Sequence, residues 1–335
     1  MGQTLDWIDS HSAWAYNIGL SSKEKLDGID CAAVDTISAN QAIKDGETIV
    51  SHGEMYELGF FSPGNTKNRY LGIWYKKIST GKVVWVANRE TPINDTSVSI
   101  SVGSNSFVAQ LLDTGNLVVW DRSRNSTNQN VIWESFDYPG DTLLPGMKFG
   151  KNMVTGLQRF MTSWKSPDDP SSGLYDHILD TNGYPQIFGR QGSVLLSRLG
   201  PWTGVTFSGF ATEIPNPVFS AEFVINQKEI YHKYELVSSV VERRVLTWDG
   251  KIKILRWIDR KQEWVVYVEE IAAVLLNSVV LMEFAAPRTI HPVVVCKVSS
   301  RNSHKNGKNL IGQVGVDVKS LWIQGIGTGF RNIQE

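Results

Sequence analysis

Short runs of β-branched and aromatic residues follow one another from residue 34 to about residue 272, and this rhythm limits the fold more than any other feature. Examples are YELGFF, YLGIWYKK, KVVWVAN, SFVAQLL and NLVVWD, separated by stretches rich in Gly, Asn, Ser and Pro. Closely spaced short strands with turn residues between them are typical of all-β domains. The chain also has 12 Trp and 29 Gly, which fits many short strands better than long helices.

A hairpin with one tryptophan on each arm occurs twice. Trp74 and Trp85 lie eleven residues apart, and Trp120 and Trp133 lie thirteen residues apart, each pair around a polar loop. The two units are offset by about 46 to 48 residues. The repeat predicts a pseudo-symmetric β structure whose aromatic side chains meet near a common axis. Coincidence in a Trp-rich chain is the alternative.

The second part of the chain has the same strand-rich texture. TSWKSPDDPSSGLY is rich in Pro, Asp and Ser, and we interpret it as a loop at a domain junction. TWDGKIKILRW places Asp-Gly between two alternating runs, which strongly indicates a hairpin. In KIKILRW, Ile252, Ile254 and in part Trp257 alternate with cationic residues, so one face should be buried.

Composition and terminal segments exclude several classes of protein. The net charge of −1 gives no electrostatic footprint for nucleic acid or an anionic membrane. Cys31 and Cys296 lie far apart in sequence and neither belongs to a CxxC pair, so no zinc site or disulfide framework can be built from them alone. The first 20 residues show no signal peptide, since they lack a basic start and a continuous apolar stretch. Residues 271–286 are the most apolar window, but it is short for a spanning helix and contains Asn277 and Glu283.

No catalytic constellation is recognisable, so we expect a protein that is not an enzyme and needs no cofactor. The six histidines are scattered without metal-ligand spacing, which predicts no metal site. Asp168 and Asp169 are adjacent and should point apart, which makes a poor acid–base pair. The glycine loop GIGTGF near the C-terminus has the wrong spacing for a nucleotide site, and no kinase motif of the VAIK, HRD or DFG type occurs.

Two N-glycosylation sequons begin at Asn94 and Asn125, and both fall in predicted polar loops. An acceptor asparagine must be exposed, which a polar loop provides. Sequons also arise by chance in a chain of this length.

Seven motifs together resemble the extracellular part of plant S-locus receptor-like kinases, also called G-type lectin receptor kinases. ELGFFSPGN, YLGIWYKK, VVWVANRETPI, LLDTGNLVV and WESFDYPGDTLLPGMK are similar to the bulb-type, mannose-binding lectin domain of that family. TSWKSPDDPSSG and GPWTGVTFSG are similar to its S-locus glycoprotein domain. The resemblance runs from about Val34 to Ala272.

The resemblance implies an all-β chain with a β-prism lectin domain of three pseudo-equivalent sheets, followed by a second antiparallel β domain. We expect a disordered leader, a lectin domain, an S-locus glycoprotein domain and a divergent, poorly defined tail, over residues 1–33, 34–155, 156–272 and 273–335. After VYVEEIA the family continues into cysteine-rich modules, a membrane span and a kinase, whereas this sequence runs into AVLLNSVVLMEFAAPRT. We therefore expect a truncated or mis-spliced product or a faulty gene model, without its own membrane span and kinase domain.

The sugar-binding pattern of bulb lectins, Q-x-D-x-N-x-V-x-Y, is incomplete in this sequence. Aligned on Asn116, the pattern falls on Leu112, Thr114, Asn116, Val118 and Trp120. The paired amide and carboxylate are missing, and a tryptophan replaces the tyrosine hydroxyl. The earlier repeat is also incomplete, with Thr66, Asn68, Tyr70, Gly72 and Trp74 in the matching positions.

We therefore expect a degenerate mannose site at Asn116, Val118 and Trp120. Asp113, Gly115 and Asn116 should form a hairpin turn, and Val118 and Trp120 should lie on the inner face of the repeat. Loss of two polar ligands, each worth roughly 1.5–3 kcal/mol when charge-assisted, should leave mannose binding weak or absent.

The resemblance implies a glycosylated recognition protein outside the cell or at the plasma membrane, in pollen recognition or defence signalling. Its partner would be a peptide or protein ligand or a mannose-type glycan, and the β-prism could support homo- or hetero-oligomers. A working mannose lectin is the alternative function, and a fragment of a receptor kinase is a further one.

Overall fold

Strands form nearly all of the regular structure. The structure, a computed structural model, describes residues 18–20, 35–38, 41–78, 81–102, 106–123, 131–204, 206–208 and 217–271, with only the backbone of residues 18–20, 270 and 271. Within these ranges there are strands and a 3₁₀-helix at Ser135–Asp137, but no α-helix. This confirms the all-β class. The predicted tail lies outside the described residues, as do both cysteines.

Three antiparallel sheets form the first part of the described chain. Their orders are β1-β8-β3, β11-β10-β9-β2 and β4-β5-β6-β7, and they pack around shared apolar side chains. The strands are β1 (Ile18–Leu20), β2 (Thr36–Ile37), β3 (Ala42–Lys44), β4 (Thr48–Val50), β5 (Tyr56–Phe61), β6 (Tyr70–Tyr75), β7 (Val83–Val86), β8 (Ser99–Val102), β9 (Phe107–Leu111), β10 (Leu117–Asp121) and β11 (Val131–Glu134).

Strand β1 lies inside the segment that we expected to be a disordered leader. Its residues pair in antiparallel register with β8, Ile18 opposite Val102 and Leu20 opposite Ile100. Local sequence patterns do not predict this strand, because its pairing partner lies about 80 residues further along the chain. The rest of the predicted leader lies outside the described residues.

The two tryptophan hairpins have the same register, which confirms the repeat. Trp74 lies opposite Val83 in the first hairpin, and Trp120 lies opposite Val131 in the second. Both ladders have an irregularity immediately before that tryptophan. The second tryptophans of the two hairpins, Trp85 and Trp133, meet edge to face with ring centroids 6.0 Å apart. Aromatic side chains of the two repeats therefore meet, as predicted.

Three four-stranded antiparallel sheets form the second part. Their orders are β12-β21-β22-β23, β14-β13-β20-β19 and β15-β16-β17-β18. The strands are β12 (Thr142–Leu143), β13 (Phe149–Asn152), β14 (Gln158–Arg159), β15 (Met161–Ser166), β16 (Asp169–Asp180), β17 (Gln186–Gln191), β18 (Val194–Leu199), β19 (Phe219–Ile225), β20 (Glu229–Leu236), β21 (Glu242–Leu246), β22 (Lys251–Ile258) and β23 (Glu263–Ile271).

The segment TSWKSPDDPSSGLY is a hairpin, so its interpretation as a junction loop was wrong. Strands β15 and β16 pair through it, with Ser166 opposite Asp169 across a tight turn. The Asp169 carboxylate accepts hydrogen bonds from the backbone N–H and the hydroxyl of Ser171, at 3.0 and 2.7 Å. The Pro, Asp and Ser residues that suggested a loop lie in the turn and at the start of β16, where proline is tolerated.

The Asp-Gly hairpin between β21 and β22 is confirmed. Gly250 has φ +83°, a conformation that glycine adopts at little cost. Ile254 and Trp257 are buried as predicted, although they are three residues apart, whereas Ile252 is only half-buried. An irregularity in the pairing of β22 with β23 after Ile254 accounts for the change of phase.

Both parts of the chain contribute to one hydrophobic core. The same cluster of buried side chains includes Leu58 and Ile73 from the first part and Tyr234 and Leu246 from the second. Strand β12 pairs with β21, and β13 pairs with β20. Although β12 and β13 precede residue 155, they therefore belong to sheets of the second part. The domain boundary after residue 155 stays a prediction.

The Arg89 guanidinium joins the first part to the second. Its Nε donates to the Pro170 carbonyl at 2.8 Å, and Nη2 donates to the Ser163 carbonyl at 2.9 Å and the Thr162 carbonyl at 3.3 Å. The next residue, Glu90, accepts hydrogen bonds from the backbone N–H and hydroxyl of Ser172. Side chains that follow β7 thus hold the β15–β16 hairpin.

Candidate glycan-binding site

The segment before β10 is a turn rather than a strand. The Gly115 N–H donates to the Leu112 carbonyl at 3.0 Å, and the Leu112 N–H donates to the Asn116 carbonyl at 2.9 Å. Gly115 has φ +84°, and a Cβ there would lie 3.0 Å from the Tyr56 ring and from Leu144. Leu112 and Thr114 therefore cannot share a strand face with Asn116, as the sugar-binding pattern requires.

The Asn116 side chain is engaged inside the protein. Only 7% of the residue is exposed, and its amide nitrogen donates to the Glu134 carboxylate at 2.8 Å. Its amide oxygen accepts hydrogen bonds from the Ser135 hydroxyl at 3.0 Å and the Phe136 N–H at 3.1 Å. Both acceptor positions of this oxygen are filled, so it has no capacity left for a sugar hydroxyl.

Val118 and Trp120 lie on the outer face of β10, which corrects our prediction of the inner face. Leu117 and Val119 are each 1% exposed and belong to the main cluster of buried apolar side chains. Val118 is not part of that cluster. Since side chains alternate along a strand, Asn116, Val118 and Trp120 point the opposite way. Val118 is nevertheless 2% exposed, and Trp120 is half-buried. The inner face begins at Leu117 because the turn ends at Asn116.

Asp113, which is one residue out of the pattern, has a structural contact. Its carboxylate accepts a hydrogen bond from the Gly53 N–H at 2.5 Å, which ties the turn before β5 to the turn before β10. Both residues are exposed. Lys77, two residues after the end of β6, reaches the same turn and donates to the Gly53 carbonyl at 3.1 Å. Sequence alone gave no signal for this contact between turns 60 residues apart.

The matching strand of the first repeat, β6, has a different surface. Tyr70 is 2% exposed, and a Cβ on Gly72 would lie 2.6 Å from the Phe61 ring, which therefore covers that glycine. The Trp74 ring lies in the same way over Gly59, with Cη2 3.0 Å from the position of a Cβ there. Thr66 and Asn68 come before the strand.

A carboxylate accompanies these two rings. The Trp74 indole N–H donates to one oxygen of Glu57 at 2.8 Å, and the Thr48 hydroxyl donates to the other at 2.8 Å. The Phe61 and Trp74 rings meet edge to face with centroids 6.4 Å apart. Glu57, Phe61 and Trp74 are all half-buried, so this outer face of β5 and β6 combines aromatic and polar groups that solvent can reach.

Of the two predicted glycosylation sites, the structure describes one. Asn94 is exposed in the connection from β7 to β8, next to the bridge between Arg69 and Ile93. Asn125 lies outside the described residues. Exposure of Asn94 is what an acceptor needs, and its modification stays a prediction.

The described residues offer no cluster of His, Cys, Asp and Glu side chains that could hold a metal ion. Several titratable groups have shifted pKa values, among them His177 and Asp141. Burial lowers the pKa of His177 to about 4, and burial raises the pKa of Asp141 against the opposing effects of Thr142 and Arg89. Nor does any helix within the described ranges have the length and apolar character to cross a membrane.

Comparison with known proteins finds two family profiles that match parts of this chain. The sequence profile described as D-mannose binding lectin matches residues 97–165, and that of the S-locus glycoprotein domain matches residues 197–273. The chain is 38% identical to the receptor-like serine/threonine-protein kinase SD1-8 of Arabidopsis thaliana, over 69% of this chain and 30% of the kinase.

Two further relatives differ in how much of their length is matched. The S-locus-specific glycoprotein S6 of Brassica oleracea is 35% identical over 67% of this chain and 58% of the glycoprotein. The G-type lectin S-receptor-like serine/threonine-protein kinase RKS1 of Arabidopsis thaliana is 37% identical over 70% of this chain and 31% of the kinase. The chain thus spans about a third of the kinases and less than two thirds of the glycoprotein.

Proposed function

We propose that this chain is a non-enzymatic recognition module outside the cell or at the plasma membrane. It carries a bulb-type lectin domain and an S-locus glycoprotein domain. It is also homologous to G-type lectin S-receptor-like kinases and S-locus glycoproteins. The two matched domains and the relatives, which include S-locus glycoproteins as well as receptor kinases, support this role. Pollen recognition or defence signalling is the class of process that fits.

The ligand in this proposal is a peptide or protein rather than a mannose-type glycan bound along β10. The observation that carries it is the Asn116 amide, which is 7% exposed and bonded to Glu134, Ser135 and Phe136. A sugar hydroxyl would have to displace internal partners of a buried amide, at the cost of leaving them unpaired.

A glycan array and a titration with methyl α-mannoside test this directly on the full chain. We expect no binding at millimolar mannoside. Binding at millimolar or lower concentration that disappears in Asn116→Ala, while Asn65→Ala in an exposed turn keeps it, would show that β10 is a working sugar site. The Asn116→Ala protein must first be shown to fold by its circular dichroism spectrum.

The second candidate function is carbohydrate binding on the outer face of β5 and β6. The Trp74 and Phe61 rings lie over glycines there, beside the Glu57 carboxylate. Aromatic faces with neighbouring polar acceptors suit the apolar face and the hydroxyls of a pyranose ring. If a glycan from the array binds, Trp74→Ala should abolish binding, whereas Trp248→Ala, at an exposed tryptophan of the second part, should not.

Glycosylation at Asn94 and Asn125 and oligomer formation through the β-prism also belong to this proposal. The exposed position of Asn94 supports it. Expressed in a secretory host, the chain should lose one glycan in Asn94→Gln and one in Asn125→Gln, measured by mass before and after enzymatic deglycosylation. Light scattering of the secreted protein measures the oligomeric state, and a strict monomer at micromolar concentration would contradict the oligomer.

A further inference from the structure

A cavity of about 70 Å³ lies where the three sheets of the second part meet. Leu143 comes from β12, Phe149 from β13 and Leu199 from β18, and all three side chains are buried. These three side chains are apolar, so they can surround a hydrocarbon group without leaving polar groups of their own unpaired. A cavity of 150 Å³ holds a benzene molecule, and this smaller space suits a narrower group such as a single alkyl chain.

One polar group in the wall points to the chemistry of the ligand. His177 is 9% exposed and lines the cavity, and its Nε2 has no hydrogen-bond partner among the described residues. Gly189 lies opposite His177 on β17, and a Cβ there would come within 2.7 Å of Nε2. The glycine thus makes the space that the imidazole occupies. An unpaired, buried imidazole nitrogen costs free energy that a ligand can recover.

The His177 imidazole can form a hydrogen bond at little cost in free energy only with an uncharged partner. Burial lowers the pKa of His177 to about 4, so the imidazole is uncharged near neutral pH. A hydroxyl can donate to or accept from a neutral imidazole, whichever nitrogen carries the proton. A carboxylate would lose hydration on entering a mostly apolar cavity, and Arg244 in the wall offsets only part of that cost.

Part of the cavity wall is reachable from solvent. Ile187, Ile252 and Val268 line it and are only half-buried. A chain whose polar end reaches His177 can therefore extend past these residues. Besides His177, the titratable or charged side chains that line the cavity are those of His232 and Arg244.

We propose that this cavity is a binding site for a narrow aliphatic alcohol, with the hydroxyl on His177 Nε2 and the alkyl chain leading out between Ile187, Ile252 and Val268. None of the lining residues belongs to β10, and the site does not depend on the proposed peptide ligand.

Methyl NMR of the full chain, labelled at its methionines, tests the site with 1-hexanol as the probe. Met161 lines the cavity and is 4% exposed, while Met153 is 43% exposed and lies outside it. The Met161 methyl signal should shift in a saturable way, and the Met153 signal should stay in place. Across 1-propanol, 1-butanol, 1-pentanol and 1-hexanol, affinity should rise roughly fourfold per methylene until the chain leaves the cavity.

Two variants separate the hydroxyl contact from simple filling of the space. His177→Leu should weaken 1-hexanol binding by roughly 2- to 10-fold, the range expected for one neutral hydrogen bond, and His52→Leu, at an exposed turn, should have no effect. Ile187→Trp should block the mouth and abolish the Met161 shift. Because Ile187 is only half-buried, this variant gives a result even if His177→Leu does not fold.

The proposal is overturned if 1-hexanol leaves Met161 unchanged, if Met153 shifts equally, or if Ile187→Trp binds as the natural sequence does. Stronger binding of hexanoate than of 1-hexanol would overturn the assignment of a hydroxyl.

Discussion

Asn116 holds the start of β10 to the end of β11 and to the 3₁₀-helix that follows it, through three internal hydrogen bonds. Two of its partners, Ser135 and Phe136, are themselves buried, and the Ser135 hydroxyl also accepts from the Leu117 N–H at 2.9 Å. Removing the amide would leave a carboxylate, a hydroxyl and an N–H without this partner. The residue that fits the sugar pattern best by sequence therefore serves the fold.

Asn116→Ala should accordingly lower the free energy of unfolding by about 1–3 kcal/mol, the cost of leaving buried polar groups unsatisfied. Urea denaturation followed by tryptophan fluorescence measures the change. Asn65→Ala is the matched control, since Asn65 is exposed in a turn and its replacement should stay within about 0.5 kcal/mol. Equal effects of the two substitutions would mean that Asn116 is free to bind a ligand.

His177 should make stability depend on pH. Its pKa is lowered to about 4 in the folded protein from 6.5, so folding favours the neutral ring. The unfolded chain binds the proton more readily, and stability is therefore complete above pH 6.5 and falls as the pH drops from 6.5 towards 4. The shift corresponds to about 3 kcal/mol over that window.

The measurement is the urea midpoint between pH 7.5 and pH 4 in the natural sequence and in His177→Leu. The leucine variant should lose less stability on acidification, by about 3 kcal/mol, while His52→Leu should follow the natural sequence. Parallel curves for His177→Leu and the natural sequence would show that the ring becomes protonated without penalty.

At the level of strands, Gly150 allows β13 to pass close to β20. It has φ +151°, and a Cβ on it would lie 2.2 Å from the Ile230 carbonyl oxygen and 2.7 Å from the Tyr231 Cα. Both neighbours are backbone atoms of a paired strand, so neither can move away easily. Any side chain here would push the two strands apart.

Gly150→Ala should therefore cost at least about 3 kcal/mol, from backbone strain and overpacking together. Gly156 is the control, because it has φ +78° with no atom within 4 Å of a Cβ, and Gly156→Ala should cost only about 1–2 kcal/mol for its backbone conformation. Thermal unfolding compares the two variants. A smaller loss in Gly150→Ala than in Gly156→Ala would contradict the close strand approach.

Local patterns predicted the hairpins and much of the burial, because turn residues and alternation are set within a few positions. The Asp-Gly turn before β22 and the two tryptophan hairpins are of this kind. Pairing over long distances left no such trace: β12 joins β21, with Thr142 opposite Val245, and β1 joins β8. The loop interpretation of TSWKSPDDPSSGLY failed because turn-forming residues also occur within a hairpin.

The candidate site could be predicted only in part for the same reason. Sequence register identified Asp113 as out of the pattern and the residues around Gly115 as a turn. It could not reveal that Asn116 bonds to Glu134, Ser135 and Phe136, because those partners lie 18 to 20 residues away, at the end of β11 and in the 3₁₀-helix that follows it. It also placed Val118 and Trp120 on the wrong face, since the first residue of β10 fixes the phase.

For the molecule as a whole, the continuous core implies that the two parts unfold together. Tyr56 and Tyr75 of the first part lie near Arg243 of the second, and Tyr75 meets the Trp264 ring at 5.2 Å. The Trp257 and Trp264 rings continue the contact into the last sheet. Interfaces this apolar couple the stability of neighbouring parts.

Arg89 supplies the polar counterpart of that junction, and its replacement tests the coupling. Arg89→Met removes the hydrogen bonds to the Pro170, Thr162 and Ser163 carbonyls and takes a positive charge from near the buried Asp141, so unfolding should become easier by about 3 kcal/mol. Arg190→Met is the control, because its pair with Asp176 is partly exposed and should contribute no more than about 1 kcal/mol.

Urea unfolding followed by both circular dichroism and tryptophan fluorescence reads out this prediction. In the natural sequence the two signals should change together in a single transition, since one core spans both parts. Arg89→Met should move that transition to lower urea, and Arg190→Met should leave it nearly unchanged. Two separate transitions in the natural sequence, or equal effects of the two arginine replacements, would show that the parts are stable independently and that Arg89 does not couple them.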